Sequence, residues 1–324
     1  MRYWKPYMNH THTGFCDATV FESYIEYPTD AKLLWKSCCD VYQMIKLCRK
    51  KVKLRDTRIK HEKRKSQYLS FAKRRKKSKR LNKKVCKSLL KYLQRLMEQL
   101  EQLRQKHAIV LSTLQGSRLG TITKVKEQQW LLYFGGQSKV PDRIVSLHKP
   151  YVRPIIRGKE VKPVEFGAKV NMLQVDGISF IEHLSYNNFN EGTRLQSTIH
   201  LQQRYFGACH QIGADAIYAT NNNRSYCTTN KIATSFVAKG KEGKNKEQKS
   251  QMRSILGKIR STVMEGSFGN EKNHYQMNKI KARTEHNEKA WIFFSLLTCN
   301  AIQIAKRMEA ISETKSQEQL KLIA

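Results

Sequence analysis

The periodicity of apolar and polar positions changes along the chain, and each periodicity predicts either a strand or a helix. Residues 14–21 are short, apolar and rich in β-branched or aromatic side chains, which predicts a strand with Asp17 in its middle. From Pro28 the pattern changes to helical spacing, and either Thr29 or Asp30 can cap the new helix. The chain therefore opens with a strand that is followed by a helix.

Two long apolar seams with steps of three and four residues flank a strongly basic stretch. The first seam consists of Leu34, Cys38, Val41, Ile45, Cys48 and Val52. The second has heptad spacing for about four repeats and consists of Cys86, Leu89, Leu93, Leu96, Leu100, Leu103, His107, Val110 and Leu114. Packing of the two seams on each other predicts a long helical hairpin.

Beyond the chain breakers Gly116 and Gly120, short segments and helical patterns alternate. The predicted strands lie at 121–125, 129–134, 142–147, 162–184 and 210–219, and the predicted helices at 193–206, 251–275 and 285–323. The order of strand, helical insertion, strands, helix, strand and helix predicts a mixed α/β fold.

The charge of the chain narrows the choice of partner. Its 61 Lys and Arg residues against 26 Asp and Glu residues give a net charge of +35, which predicts a polyanionic partner, whereas 40% apolar residues suffice for a core. Residues 46–91 carry charge of almost one sign, so we predict that DNA phosphates contact this stretch at Arg74, Arg75, Lys76 and Lys77. A solvated charged face is the alternative.

No long apolar run or signal-like segment is present, so neither a membrane nor secretion is indicated, and we expect a cytoplasmic location. The eight cysteines form no CxxC pair, and we interpret them as small buried apolar residues.

Three acidic residues stand out as candidates for metal chemistry. Asp17 and Asp215 occur in or at the end of apolar strands, where aspartate is disfavoured. Glu265 precedes Lys272 by seven residues, which places both side chains on one helical face. An aspartate that caps a loop after a strand is the alternative interpretation of Asp215. Two strand carboxylates together favour a metal site.

The chain resembles the DDE transposases of bacterial insertion sequences, specifically the large groups numbered four and five. The matching stretches are 17–35, 166–193, 213–224, 264–283 and 291–301. The resemblance implies an RNase H-like mixed sheet with flanking helices, here interrupted by a long basic helical hairpin. It implies four parts: residues 1–30 with the first strand of the catalytic core, 31–115 as the basic insertion, 116–300 as the rest of the core, and 301–324 as a C-terminal helix.

The resemblance also implies an activity and a set of site residues. Asp17, Asp215 and Glu265 correspond to the acidic triad, which would hold two Mg²⁺ or Mn²⁺ ions for DNA cleavage and strand transfer. Lys272 corresponds to a lysine that contacts DNA near the cleaved end, and we add Lys258 as a further DNA contact. The implied partners are the ends of the insertion sequence, target DNA and a second copy of the chain, in a nucleoid-associated setting.

Some positions depart from the family pattern. Many relatives have Tyr and Arg where this chain has Lys258 and Ser261, and Arg and Gly where it has Ala216 and Ile217. Only 16 residues precede Asp17, so we expect a shortened copy that lacks the amino-terminal region and binds DNA with little sequence preference.

Two other interpretations stay open at this point. A basic stretch before Leu89, Leu96, Leu103 and Val110 is compatible with a non-enzymatic DNA-binding protein that has a zipper-like element. An inactive transposase remnant would have the same motifs. Asp176 is the substitute if Asp215 or Glu265 is misplaced.

Overall fold

The computed structural model describes residues 3–55, 60–156, 163–240 and 245–323, which form two compact units. The first, which we call the sheet unit, comprises Met1–Tyr24 and Pro154–Ala324. The second, which we call the helical unit, comprises Ile25–Arg153.

The helices and strands of each unit follow the chain in a simple order. The sheet unit contains β1 (Thr13–Ser23), β2 (Pro154–Ile156), β3 (Val164–Val175), β4 (Ile178–Ser185), α5 (Leu195–Phe206), β5 (Gln211–Ala214), α6 (Asn221–Thr229), β6 (Ala233–Thr234), α7 (Lys246–His274), β7 (Lys279–Ile280) and α8 (Glu285–Ile323). The helical unit contains α1 (Asp30–Lys51), α2 (His61–Ala72), α3 (Lys79–Lys106) and α4 (Thr113–Tyr133).

A mixed sheet organises the sheet unit around its first strand. β1 is antiparallel to β3 on one side and parallel to β5 on the other, and β6 continues the sheet parallel to β5. β4 and β2 pair with β3, while the short β7 pairs with the end of β1. The predicted mixed α/β class is therefore confirmed.

The central position of β1 explains its composition. Because strands flank it on both sides and helices α5 and α7 contact it, its side chains are buried at most positions. Cys16 is fully buried and packs with Leu173, Ile199 and Ile212 in the core of the sheet unit. A strand in this position needs apolar residues on both faces, so the aspartate at position 17 is exceptional.

The two predicted seams form the core of the helical unit. α1 and α3 pack on each other, and the seam residues from Leu34 to Cys48 and from Cys86 to Leu103 are all buried. The second seam was predicted too long. α3 ends at Lys106, and Val110 and Leu114 are 80% and 84% exposed.

The strands predicted at 121–125 and 129–134 are wrong, because both segments lie in α4. Ser112 and Gln115 form a reciprocal capping box that starts this helix, and Ile122, Val125 and Gln129 are buried at helical spacing. Residues 142–147, also predicted as a strand, have irregular structure. Residues 116–153 therefore belong to the helical unit.

Asp30 links α1 to α4 and to the segment after it. Its carboxylate accepts hydrogen bonds from Gln129 (3.1 Å), Tyr133 (2.7 Å) and Arg143. The helix cap is thus left to Thr29, whose hydroxyl accepts from the Lys32 backbone N–H.

Most other predicted elements are confirmed. The strand at 14–21, the strands within 162–184 and the helices α5, α7 and α8 lie where the patterns placed them. The strand predicted for 210–219 ends at Ala214, and Ala216–Tyr218 form a 3-10 turn. Seven of the eight cysteines are buried, as interpreted. In the described ranges, no helix is long and apolar enough to cross a membrane.

Candidate active site

Two aspartates emerge from neighbouring strands of the sheet. In the parallel pairing of β1 with β5, Cys16 lies opposite Ala214, and the next residue of each strand is Asp17 and Asp215. Neighbouring strands run about 4.8 Å apart, so this register brings the two carboxylates to one place. Residues that are far apart in the sequence thus lie beside each other, Asp17 in the middle of β1 and Asp215 directly after β5.

Helix α7 passes over these strands and brings further charged side chains. It contacts both β1 and β5. Gly213 permits this close approach: a Cβ atom there would lie 2.7 Å from the Phe15 ring and 3.2 Å from the Leu256 carbonyl oxygen. Glu265 and Lys272, both on α7, line the same cavity as Asp17 and Asp215.

β1, the residue after β5, helix α7 and the segment 188–191 border an open cavity of about 970 Å³. The cavity is lined by Asp17, Ala18, Thr19, Ile156, Lys169, Asn188, Phe189, Asn190, Glu191, Asp215, Ile217, Arg260, Glu265, Phe268, Gly269 and Lys272. The structure therefore brings together the predicted residues Asp17, Asp215, Glu265 and Lys272.

Other residues singled out in the sequence lie elsewhere. Lys258 is exposed on α7 and is not part of the cavity lining. Asp176 lies in the β3–β4 turn with a φ of 49°, and its carboxylate accepts from Arg307 at 2.7 Å and from the Asn9 backbone at 3.0 Å. It is a structural residue. The exposed side chains Arg74, Arg75, Lys76 and Lys77 belong to the helical unit, between α2 and α3.

Arg260 is a cavity residue that the sequence patterns did not reveal. Its Nη1 donates to Asp17 Oδ2 at 2.8 Å, and both side chains are mostly buried, at 15% and 19% exposure. The family pattern directed attention to the next position, Ser261. Arg260 lies four residues after the buried Leu256, on the face of α7 that contacts the sheet, and this spacing is the signal that could have found it.

Lys169 and Glu191 also line the cavity and were not predicted from the sequence. They stabilise the side of the cavity opposite α7. The buried Lys169 ammonium lies 2.8 Å from Glu191 Oε1, 2.8 Å from the Phe189 carbonyl oxygen and 3.1 Å from Asn188 Oδ1. Three acceptors match the three donors of a lysine. Lys169 therefore fixes the turn that carries Glu191 into the cavity.

The electrostatics of Asp17 reflect this crowded environment. Burial raises the pKa of the Asp17 carboxyl, and the nearby carboxylates of Glu191 and Asp215 raise it further. The Ala18 N–H, which donates to Asp17 Oδ1 at 2.7 Å, and the Arg260 guanidinium act in the opposite direction. The net effect is a raised pKa, because burial outweighs the contacts that favour the carboxylate.

The donor chemistry of the cavity fits a hard divalent cation. Four carboxylates line it, and carboxylate oxygens are the ligands that Mg²⁺ and Mn²⁺ prefer. Their spacing is more open than that of a closed ion cage: within the described ranges, no three His, Cys, Asp or Glu side chains are grouped closely enough to hold an ion. Arg260 neutralises Asp17 in this arrangement.

A buried network of polar side chains lies next to Asp17 and Asp215. The Tyr218 hydroxyl donates to Asn171 Oδ1 at 2.5 Å, and Asn171 Nδ2 donates to Thr198 and Glu182 at 3.0 Å each. The Cys16 thiol lies 3.6 Å from the Thr198 hydroxyl, and burial raises its pKa to about 12. This network joins the residue before Asp17 to the turn after Asp215.

No curated protein and no solved structure is significantly similar to the chain. Residues 212–300, which include Asp215, Glu265 and Lys272, match the family model described as the transposase DDE domain.

Proposed function

We propose that this protein is a DDE transposase that cleaves DNA at the ends of an insertion sequence and joins those ends to target DNA. The observation that carries the proposal is the convergence of Asp17, Asp215, Glu265 and Lys272 on one cavity. Three of these four residues also lie within the matched transposase DDE domain.

The topology of the sheet unit supports an RNase H-like catalytic domain. An antiparallel meander of β1, β3 and β4 continues on the other side of β1 as the parallel strands β5 and β6, and helices follow β4 and β5. Asp17 lies in the middle of the central strand β1, and Asp215 directly follows the parallel neighbour β5. Ligands of open sheets bind at the carboxyl ends of strands, and Asp215 lies at such an end.

Asp17, Asp215 and Glu265 are the residues that would hold two Mg²⁺ or Mn²⁺ ions. When bound, such ions lower the pKa of a water or 3′-hydroxyl nucleophile and stabilise the leaving oxygen. The side chains of the protein itself would bind the DNA phosphate and hold the cavity in shape. Lys272 attracts a DNA phosphate, and the Lys169 contacts keep the opposite wall of the cavity in place.

The helical unit supplies a second basic surface for DNA. Arg74, Arg75, Lys76 and Lys77 are all exposed, and the segment between α2 and α3 that contains them has no acidic residue. Contacts of this kind bind phosphates without reading bases. We propose that they hold element or target DNA and that the active form is a homodimer.

The zipper-like alternative is disfavoured by the packing of α3. Leu89, Leu96 and Leu103 are 5%, 1% and 8% exposed, because they pack with α1 in the core of the helical unit. A leucine seam that is already covered by its own chain is not available to a second chain.

A cleavage assay tests the proposal directly. DNA that carries the ends of the protein's own element is incubated with Mg²⁺ or Mn²⁺ and with the wild type, Asp17→Asn, Asp215→Asn, Glu265→Gln or Glu309→Gln. Glu309 is an exposed glutamate of α8 outside the cavity, so it serves as the matched control. We expect the three cavity variants to lose cleavage and the control to keep it. A wild type that binds DNA and never cleaves it would identify an inactive remnant instead.

A further inference from the structure

We propose that Arg260 is an internal counter-ion of Asp17 that must leave the carboxylate before a divalent cation can bind there. The inference rests on the proposed function, and it adds a positioning residue that competes with the metal. It starts from the contact between Arg260 Nη1 and Asp17 Oδ2 at 2.8 Å.

Both oxygens of Asp17 are engaged in this arrangement. Oδ1 accepts from the backbone N–H of Ala18 at 2.7 Å, and Oδ2 accepts from Arg260. The Ala18 contact is a neutral one made by the adjacent backbone, whereas the guanidinium is positively charged and lies at the end of a long, flexible side chain. A divalent cation at the same carboxylate repels the guanidinium, so it displaces Arg260 rather than Ala18.

The limited exposure of the pair makes the competition strong. Asp17 is 19% and Arg260 15% exposed, so water screens their attraction less than it would at the surface. A cation has to replace this interaction and not merely add to it. The affinity of Asp17 for a metal is consequently reduced by the fraction of molecules in which Arg260 occupies it.

The charges that line the cavity also indicate that Arg260 takes the place of a cation. Its lining holds four carboxylates, on Asp17, Glu191, Asp215 and Glu265, against three cationic groups, on Lys169, Arg260 and Lys272. Without the guanidinium, four negative charges face two positive ones. This excess of two negative charges favours the binding of divalent cations.

The position of Arg260 on α7 couples its release to Glu265. The two residues are five positions apart on one helix, or about 7.5 Å along its axis. The ion pair ties this part of α7 to β1 while the carboxylates of the described chain remain too open to form a three-ligand group. Release of Arg260 removes that tie, which allows Glu265 to approach Asp17.

Direct measurement of Mn²⁺ binding by electron paramagnetic resonance tests the inference without reference to activity. The wild-type chain is compared with Arg260→Gln, Arg260→Met, Asp17→Asn, the double variant of Asp17→Asn with Arg260→Met, and Lys249→Gln. We expect both Arg260 variants to bind Mn²⁺ about tenfold more tightly, since no competitor has to be displaced. Arg260→Met keeps an unbranched side chain, so it provides a second result if the Gln variant folds poorly. Lys249 is exposed on the same helix, and its variant should bind like the wild type.

The possible failures are distinguishable. Asp17-dependent Mn²⁺ binding that is equal or weaker in a folded Arg260 variant overturns the counter-ion inference and leaves the proposed function intact. If Asp17→Asn changes Mn²⁺ binding in neither the wild-type nor the Arg260→Met background, the metal site itself is wrong, and both proposals fall.

Discussion

The Tyr218 hydroxyl donates a hydrogen bond of 2.5 Å to Asn171 Oδ1, which joins the turn after Asp215 to the middle of β3. Both residues are fully buried. Removal of the hydroxyl in Tyr218→Phe leaves a buried acceptor with one donor fewer, and we expect a loss of about 1 to 3 kcal/mol in the free energy of unfolding. Urea titration followed by circular dichroism measures it.

Tyr226→Phe is the matched control for this prediction. The Tyr226 hydroxyl is half-buried and lies 3.4 Å from His200, so its removal should change stability by less than about 0.5 kcal/mol. Equal effects of the two variants would show that the contact between Tyr218 and Asn171 is not special.

Glu271 makes the stability of the sheet unit depend on pH. It is 1% exposed, Ser267 donates to its Oε1 at 2.9 Å, and burial raises its pKa to about 7 from an ordinary value of 4.5. The folded state therefore holds a proton that the unfolded state releases between pH 4.5 and 7. Its contribution to stability is complete below pH 4.5 and is lost as the pH rises through 7.

We expect Glu271→Gln to remove this pH dependence. Relative to the wild type, the variant should gain about 2 to 3 kcal/mol of unfolding free energy between about pH 5 and pH 8. Urea titrations at both pH values give the difference. Glu309→Gln, on the exposed side of α8, is the control and should show no such gain. A Glu271→Gln curve parallel to that of the wild type would contradict the assignment.

The basic segment between α2 and α3 should determine much of the salt dependence of DNA binding. Replacement of Arg74, Arg75, Lys76 and Lys77 by Gln is expected to reduce the slope of log affinity against log salt by about 0.9 for every phosphate that the variant no longer neutralises. Filter binding over a range of salt concentrations measures the slope. A slope that stays the same would mean that this segment is only solvated.

The control for this prediction removes the same charge from other exposed lysines of the helical unit. A variant with Gln at Lys51, Lys106, Lys124 and Lys139 has an equal net charge. If both variants flatten the slope equally, net charge and not the basic segment is responsible.

The seam between α1 and α3 should dominate the stability of the helical unit. Leu93 is fully buried in it, and Leu93→Ala is expected to cost about 2 to 5 kcal/mol of unfolding free energy. Leu69, on α2, is 42% exposed, and its alanine variant should stay within about 0.5 kcal/mol of the wild type. Chemical denaturation of both variants gives the comparison.

Sequence periodicity was sufficient where one face of an element is buried over a long distance. The seams of α1 and α3 and the strand around Asp17 are of this kind. It failed at α4, whose β-branched and aromatic residues resemble those of strands. The helix there is determined by the capping box at Ser112 and by burial of Ile122 and Val125, which only the packed unit reveals.

In the candidate site, too, some residues were predicted from the sequence and others became evident only from the packed structure. Asp17 and Asp215 were predicted because a carboxylate in or directly after an apolar strand conflicts with its surroundings, and Glu265 was predicted from the resemblance to the transposases. Arg260 and Glu191 were not predicted, because arginine on a helix and glutamate after a strand are unremarkable until β1 and α7 bring them together. Their importance comes from tertiary contacts between segments that are distant in the sequence.

The central position of β1 also determines the order in which the two units can fold during synthesis. This strand leaves the ribosome long before its parallel partner β5 and the covering helix α7 are made. At roughly 5 to 20 residues per second, the 248 residues that separate Asp17 from Glu265 take about 10 to 50 seconds to synthesise. The helical unit, made in between from contacts local in sequence, can fold during that interval. A nascent chain thus has its positively charged helices well before it has its acidic cavity, so translation alone delays the formation of the cavity.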